Sequence, residues 1–165
     1  MTQTILTLSV FLSLPLLVQE PATGRKAPEF YLDDMDGNTM ALSDIIGRGP
    51  VVISFWATWC KPCVEELGEL QKLYDEFKDQ DVTLLAISTD SERSVAKVKP
   101  FAKSRGYTFT VLLDTNSDVA RKYYARTIPY SVILDGTGSI IYTHVGYEKG
   151  DEREVRRIVE RLLQE

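Results

Sequence analysis

Hydrophobic residues along this chain are grouped into short runs that are separated by polar segments. Runs of five to seven mainly apolar residues predict strands, and the first two, 51–56 and 82–88, suit strands that are buried in a sheet covered on both faces. The runs are 51–56, 82–88, 109–114, 130–134 and 139–145. Segments whose apolar residues recur every three or four positions predict helices. They are approximately 62–77, 92–105 and 117–124, with a last helix that begins near Asp151.

The order of these segments predicts an α/β fold. Strands that alternate with helices pair in parallel, because a crossover helix returns the chain to the same end of the sheet. The last two strands are separated only by "DGTG", so they must pair antiparallel. A mixed central sheet of about four or five strands, sandwiched by helices, is therefore expected. Asp36-Gly37 is a turn signal between short apolar stretches and predicts an N-terminal β-hairpin extension.

The beginning of the chain differs from the rest. Ile5–Val18 is an uncharged apolar run of 14 residues, which is shorter than the ~20 residues that a bilayer-spanning helix needs. It suits the core of a secretory signal peptide, although no Lys or Arg precedes it. We expect residues 1–24 to be a signal peptide or a membrane anchor. Residues 25–165 are then a single globular domain in the periplasm or at the extracytoplasmic face of the membrane.

Composition and charge exclude several functional classes. The net charge is −5 and no basic run is present, which disfavours nucleic acid as a partner. Two cysteines and one histidine cannot supply the four ligands of a structural zinc site. We expect a monomer without metal or cofactor. His144 is far from both cysteines in sequence, and we expect no catalytic role for it.

Both cysteines lie in "WCKPC", where a buried strand passes into a helix. A bridge between Cys60 and Cys63 closes a loop too small to add much stability through chain entropy. At the start of a helix, free N–H groups and the helix dipole favour a thiolate. Pro62 is tolerated in a first helical turn, and Lys61 adds positive charge nearby. The pattern predicts a redox pair in which Cys60 attacks a substrate disulfide and Cys63 resolves the mixed disulfide.

Two carboxylates follow the cysteines within one helical turn. At ~100° per residue, Glu66 lies on the same arc as Cys63 and the apolar positions, whereas Glu65 lies on the polar side. We expect Glu66 to be partly buried, and burial raises the pKa of a carboxyl. Glu66 would then take the proton of Cys63 when that thiol attacks. The alternative is that Glu66 is an ordinary carboxylate at the boundary of the core.

These residues point to a known family. "FWATWCKPC" resembles the thioredoxin superfamily, whose members carry WCxPC at this junction. The longer segment from "APEFYLDD" to "CKPCVEEL", followed by "TFTVLLD" and "TIPYSVILD", is similar to the exported TlpA/ResA-type thiol-disulfide oxidoreductases of the redoxin group. Those proteins have an acidic residue three positions after the second cysteine, as Glu66 is here. Ser54 stands where thioredoxins proper usually have a buried Asp.

The resemblance runs from about Ala27 to the C terminus and implies a thioredoxin-like fold and specific site residues. Cys60 and Cys63 match the redox disulfide of the family, and Glu66 matches its acid. Pro129 matches a cis-proline beside the cysteine pair, and Ile128 is expected to offer backbone hydrogen bonds to an extended substrate. The other residues expected at the substrate surface are Trp59, Lys61 and Pro62.

The implied function is thiol-disulfide exchange with protein substrates, as a reductant in the cell envelope. Cytochrome c maturation is one use within the family, and a membrane or envelope protein would supply electrons. Tyr130 replaces a common Thr, so no redox potential is inferred. Two alternatives remain open. One is a peroxiredoxin-like peroxidase, although Thr58 has the wrong offset for its cysteine pattern; the other is a thioredoxin-fold binding module with incidental cysteines.

Overall fold

The strand that precedes the cysteines is the centre of the protein. In a computed structural model that describes residues 24–165, all six residues of β3 are buried. The strands are β1 (Tyr31–Asp34), β2 (Thr39–Ala41), β3 (Val51–Trp56), β4 (Thr83–Ser88), β5 (Thr110–Leu113), β6 (Tyr130–Leu134) and β7 (Ile140–Val145). The α-helices are α1 (Lys61–Phe77), α2 (Val98–Arg105), α3 (Asp118–Lys122) and α4 (Glu152–Leu162), and short 3₁₀ turns lie at Leu42–Asp44 and Val95–Lys97.

All described strands join one mixed sheet in the order β2-β1-β5-β4-β3-β6-β7. β3 pairs in parallel with β4, and β4 with β5, whereas β6 and β7 are antiparallel. The α/β prediction and the mixed sheet are confirmed, but the predicted number of four or five strands is wrong. The sheet has seven strands because the N-terminal hairpin, β1 and β2, pairs with β5 and extends the sheet at that edge.

The second predicted helix is shorter than its sequence pattern indicated. The helix was expected from residue 92, but α2 begins at Val98 after the turn at Val95–Lys97. Pro100 explains the difference, since proline lacks the N–H that an interior helical position must donate. A helix that starts at Val98 places Pro100 in its first turn. Backbone N–H groups in a first turn have no intrahelical acceptor, so the absence of an N–H at Pro100 costs no hydrogen bond there.

Helices cover both faces of the sheet, as the sandwich prediction requires. On one face, α1, α2 and α4 pack over a core that includes Trp56 and Cys63. On the other face, α3 and the segment around Phe30 pack against the alternate residues of β3, such as Phe55. Because successive strand residues point to opposite faces, even-numbered β3 residues face α1. This places Ser54 under α1.

The predicted signal peptide or anchor, residues 1–24, lies almost wholly outside the described residues. Gly24 is described, and its N–H donates to the carbonyl of Ile140 at 2.6 Å. Within residues 24–165, every helix is too short or too polar to span a bilayer.

Candidate active site

Cys60 and Cys63 form a disulfide at the N terminus of α1, with an S–S distance of 2.04 Å. Cys60 is the N-cap of the helix, and its Sγ accepts a hydrogen bond from the backbone N–H of Cys63 at 3.3 Å. Cys60 is 6% exposed and Cys63 is fully buried. The predicted position at a helix start is therefore confirmed, and solvent reaches the disulfide from the Cys60 side.

The loop that presents Cys60 is held by a buried carboxylate that the sequence analysis did not identify. Asp90, which follows β4, accepts hydrogen bonds from the backbone N–H of Thr58 at 2.8 Å and from its hydroxyl at 2.7 Å. The Ser88 hydroxyl donates to the same carboxylate at 3.0 Å. Because three donors converge on one fully buried side chain, the segment between β3 and α1 has a single preferred position.

Glu66 lies under the disulfide, one helical turn after Cys63, and is only 5% exposed. Its two carboxyl oxygens accept hydrogen bonds from Ser131 at 2.6 Å and from Ser54 at 2.7 Å. Burial raises the pKa of Glu66, while the two hydroxyl donors oppose part of that rise. Glu65 is exposed, so the helical geometry separates the two glutamates as predicted.

The two serines belong to a row of polar side chains across three neighbouring strands. Ser54 on β3 is paired with Ser131 on β6, and Ser131 is paired with His144 on β7. Side chains of directly paired residues project from the same face with Cβ atoms ~5 Å apart. Since both serines point to Glu66, the His144 side chain also lies on the α1 side of the sheet.

Several residues expected at the substrate surface are exposed and neighbour the cysteines in the chain. Trp59 is 70% exposed, and Lys61 and Pro62 are also exposed at the start of α1. Trp59 and Ile128 line one groove together. The Ile128-Pro129 peptide bond is cis, as the family resemblance implied for Pro129.

Comparison with known proteins now gives the family. Residues 23–143 match the model of the AhpC/TSA family. The chain belongs to the AhpC/TSA family.

Within the AhpC/TSA family, the chain is similar to named oxidoreductases. It is 32% identical over 131 residues to the thiol-disulfide oxidoreductase ResA of Bacillus thuringiensis, which covers 79% of this chain and 74% of that protein. It is 35% identical over 131 residues to the thioredoxin-like protein YneN of Bacillus subtilis, covering 79% and 76%. These relatives confirm the predicted ResA-like group and its oxidoreductase class.

A solved structure supports the fold of this AhpC/TSA chain. The thioredoxin domain of a thiol-disulfide oxidoreductase from Bacteroides vulgatus is 27% identical, with a TM-score of 0.71. The match covers 85% of this chain and 99% of that domain. The predicted thioredoxin-like fold is thereby confirmed.

The structure brings the cysteines and Glu66 together as predicted and adds Ser131 and Asp90, whose hydrogen bonds hold this AhpC/TSA site; His144 lies nearby. Ser131 and His144 are distant in sequence, and only the pairing of β6 with β3 and β7 places them near α1. Asp90 carried no recognisable motif, since one Asp after a strand is common in loops. Within residues 24–165, no group of three or more His, Cys, Asp or Glu side chains is arranged to hold a metal ion.

Proposed function

We propose that the protein reduces disulfides in other proteins outside the cytoplasm, with Cys60 and Cys63 as its redox pair. The observation that carries this proposal is the buried carboxylate of Glu66, which lies one turn beyond the buried Cys63 and accepts two hydroxyl hydrogen bonds. A disulfide that served stability alone would gain nothing from a carboxylate that is costly to bury. A thiol that must lose its proton inside the protein needs an acceptor at this place.

The exchange begins at Cys60. Its thiolate attacks one sulfur of the substrate disulfide, so a mixed disulfide forms and the other substrate sulfur leaves as a thiolate. The N terminus of α1 stabilises the Cys60 thiolate, because N–H groups of the first turn lack intrahelical partners. Cys60 is the attacking residue because it is the cysteine that solvent reaches, whereas Cys63 is fully buried.

Cys63 completes the reaction. Its thiol gives a proton to the Glu66 carboxylate, and its sulfur attacks Cys60 Sγ. The Cys60–Cys63 bond forms while the bond to the substrate breaks, and the second substrate sulfur leaves as a thiolate that takes a proton from water. Two electrons have then passed from the dithiol to the substrate. A donor in the membrane or envelope must return two electrons to start a new cycle, and the proton held by Glu66 then returns to Cys63.

The substrate chain is proposed to lie across the exposed groove beside the disulfide. Trp59 gives this groove a large apolar surface, and Ile128 lines the same groove. An extended peptide here can hydrogen-bond to the backbone of Ile128 next to the cis-Pro129. Lys61 and Pro62, exposed at the start of α1, are proposed to complete the contact surface. We propose that the protein acts as a monomer, since one chain supplies every group that the reaction uses.

Export is proposed from the apolar run Ile5–Val18, which acts as a signal peptide or as a membrane tether for residues 25–165. A fusion of residues 1–24 to a reporter enzyme that works only outside the cytoplasm tests this part. An inactive reporter would contradict export. Among envelope substrates, apocytochrome c is one candidate.

Substrate trapping tests the exchange itself. The Cys63→Ala variant should hold protein substrates as mixed disulfides at Cys60, because the resolving thiol is absent. The matched control is Cys63→Ala combined with Cys60→Ser, which should trap nothing. The wild-type protein should also accelerate insulin reduction by dithiothreitol. Turnover that survives in Cys63→Ala would show that the two-cysteine mechanism is wrong.

The peroxidase alternative receives no support from the site. A peroxidatic centre requires a Thr or Ser hydroxyl directed to its cysteine, but the Thr58 hydroxyl donates to Asp90 at 2.7 Å. Consumption of hydrogen peroxide by the reduced protein, at a rate comparable to disulfide exchange, would reverse this conclusion. The binding-module alternative predicts no insulin reduction by a folded, reducible protein.

A further inference from the structure

A small cavity lies beside Glu66, and neither Cys60 nor Cys63 is among its lining residues. Its volume is ≈ 10 Å³, and Glu66, Ser131, Tyr142 and His144 are among its lining residues. This volume is about what one water molecule requires, and polar groups line it on several sides. Glu66 and His144 share the cavity without a direct hydrogen bond between them. The carboxylate and the imidazole therefore line the same small polar space.

His144 is held at this cavity by Asp151. Its Nε2 is 3.1 Å from Asp151 Oδ2, and because a carboxylate only accepts, Nε2 is the donor. The same carboxylate oxygen accepts the backbone N–H of Glu148 at 2.8 Å, which fixes Asp151 just before α4. Both His144 and Asp151 have side chains that are 35% exposed. The imidazole can thus exchange protons with solvent while it faces a buried carboxyl.

Titratable groups face Glu66 from each element that packs around it. They are Tyr142 and His144 on β7, Tyr147 and Asp151 before α4, and Glu152 at its start; on α1 itself, Cys63 and Glu69 lie three residues before and after Glu66. β3 and β6 contribute only the hydroxyls of Ser54 and Ser131. Of these groups, His144 alone has a side chain that can carry a positive charge.

We propose that His144 is a positioning residue for the exchange reaction: its imidazolium, held by Asp151 across the cavity, keeps Glu66 in the ionised form that can take the proton of Cys63. The inference rests on the proposed function, since it concerns the step in which Cys63 attacks. Cys63 has no solvent contact, so a Glu66 that is already protonated leaves this thiol without an acceptor. A positive charge on His144 opposes the cost of ionising the buried Glu66, and it outweighs the smaller opposite effect of the Asp151 carboxylate on the pKa of Glu66.

Dithiobis(nitrobenzoate) separates the two chemical steps. The reduced protein should release a first thionitrobenzoate when Cys60 attacks the reagent and a second when Cys63 resolves the mixed disulfide. Stopped-flow absorbance across pH 5 to 9 then gives a pH profile for each phase. Glu66→Gln identifies which ionisation in the second phase belongs to Glu66, because that ionisation disappears in this variant. A wild-type protein that shows no second phase would overturn the proposed function rather than this inference.

Two substitutions of His144 give opposite expectations. His144→Gln removes the cation, so the second-phase midpoint should move to higher pH and the rate below the midpoint should fall roughly three- to tenfold. An opposite charge within 4–6 Å lowers the proton affinity of a carboxyl group by about 10- to 1000-fold. The effect is smaller when the charged side chain is partly exposed to solvent, as His144 is. His144→Lys restores a permanent cation and should keep at least the wild-type rate. His144→Asn repeats the neutral test with a shorter side chain.

Tyr142→Phe is the control for packing around the cavity. Tyr142 stacks on His144 with ring centroids 6.1 Å apart and an interplanar angle of 7°, and its substitution leaves all charges in place. It should preserve the wild-type midpoint. The proposal is overturned if the neutral His144 variants, folded by circular dichroism, keep the wild-type midpoint. It is overturned equally if the Lys and Gln variants move the midpoint in the same direction, because a purely structural role predicts that result.

Discussion

Replacing Glu66 by Gln removes the proposed proton acceptor beside Cys63 and keeps nearly the same shape. The glutamine carbonyl can accept the hydroxyl hydrogen bond of one serine, and its amide can donate to the oxygen of the other, because hydroxyls both donate and accept. The two contacts to Ser131 and Ser54, at 2.6 and 2.7 Å, can therefore both be kept. The fold should persist while the chemistry changes.

The expected kinetic loss follows from the burial of the two residues. Cys63 is 0% and Glu66 5% exposed, so water is poorly placed to replace the carboxylate. A positioned general base contributes about 10²- to 10⁴-fold, and we expect Glu66→Gln to slow the second thionitrobenzoate release by at least ~100-fold. The first release should keep the wild-type rate, because Cys60 reaches solvent and uses the helix N terminus instead.

The same substitution should change stability with a definite sign. Burial raises the pKa of Glu66 above its value in the unfolded chain, so the contribution of this group is favourable at low pH and is lost as pH rises through the folded-state pKa. The loss is about 1.4 kcal/mol for each factor of ten in proton affinity. Gln does not titrate, so its contribution does not change with pH. The free energy of unfolding of Glu66→Gln should therefore increase relative to that of the wild type as pH rises above about 4.3.

Two measurements check this reasoning. Stopped-flow release of thionitrobenzoate separates the steps, and urea unfolding of the oxidised proteins at pH 4 and pH 8 gives the free energies. A second release at the wild-type rate in Glu66→Gln would refute the role of Glu66 as proton acceptor. A stability difference that stays constant between the two pH values would refute the raised pKa.

Three further predictions concern packing, the loop and the substrate surface. Gly49→Ala should lower the free energy of unfolding by more than 1 kcal/mol, because its Cβ would lie 2.3 Å from the carbonyl oxygen of Asp81. Gly68→Ala, in open space inside α1, should instead raise it by about 0.5–1 kcal/mol; thermal unfolding of both variants measures the contrast, and a loss at Gly68 would contradict it. Asp90→Ala should cost about 3 kcal/mol in urea unfolding, since it leaves three donors without an acceptor, and an unchanged midpoint would show that water replaces the carboxylate. Trp59→Ala should change the free energy of unfolding by less than about 0.5 kcal/mol. It should raise KM for insulin and leave the rate of reaction with dithiobis(nitrobenzoate) unchanged. Equal effects on both substrates would show that Trp59 is not part of the protein-binding surface.

Much of the active site follows from local sequence alone. The position of Cys60 at a helix start depends on a strand, a turn and Pro62 within a dozen residues. The burial of Glu66 and the exposure of Glu65 follow from helical periodicity in the same segment, because residues three apart share a face. Such features are decided by neighbours in the chain, so periodicity and spacing are enough to predict them.

Features that depend on strand pairing could not be predicted in this way. Five strands were located from their apolar runs, yet the hairpin of β1 and β2 gave no sign that it would pair with β5 and extend the sheet. The predicted start of α2 was wrong because Pro100 restricts where the helix can begin, and the exact start depends on where the preceding turn at Val95–Lys97 ends.

The polar row under Glu66 is the clearest example of what only the tertiary structure decides. The sequence by itself determined the redox pair, its helix and the inward-facing acid. Ser131 and His144 are 65 and more residues away from Glu66, and each is unremarkable within its own strand. They become part of the site because β6 pairs with β3 and β7 in one register, and a shift of one residue would turn both side chains to the other face of the sheet.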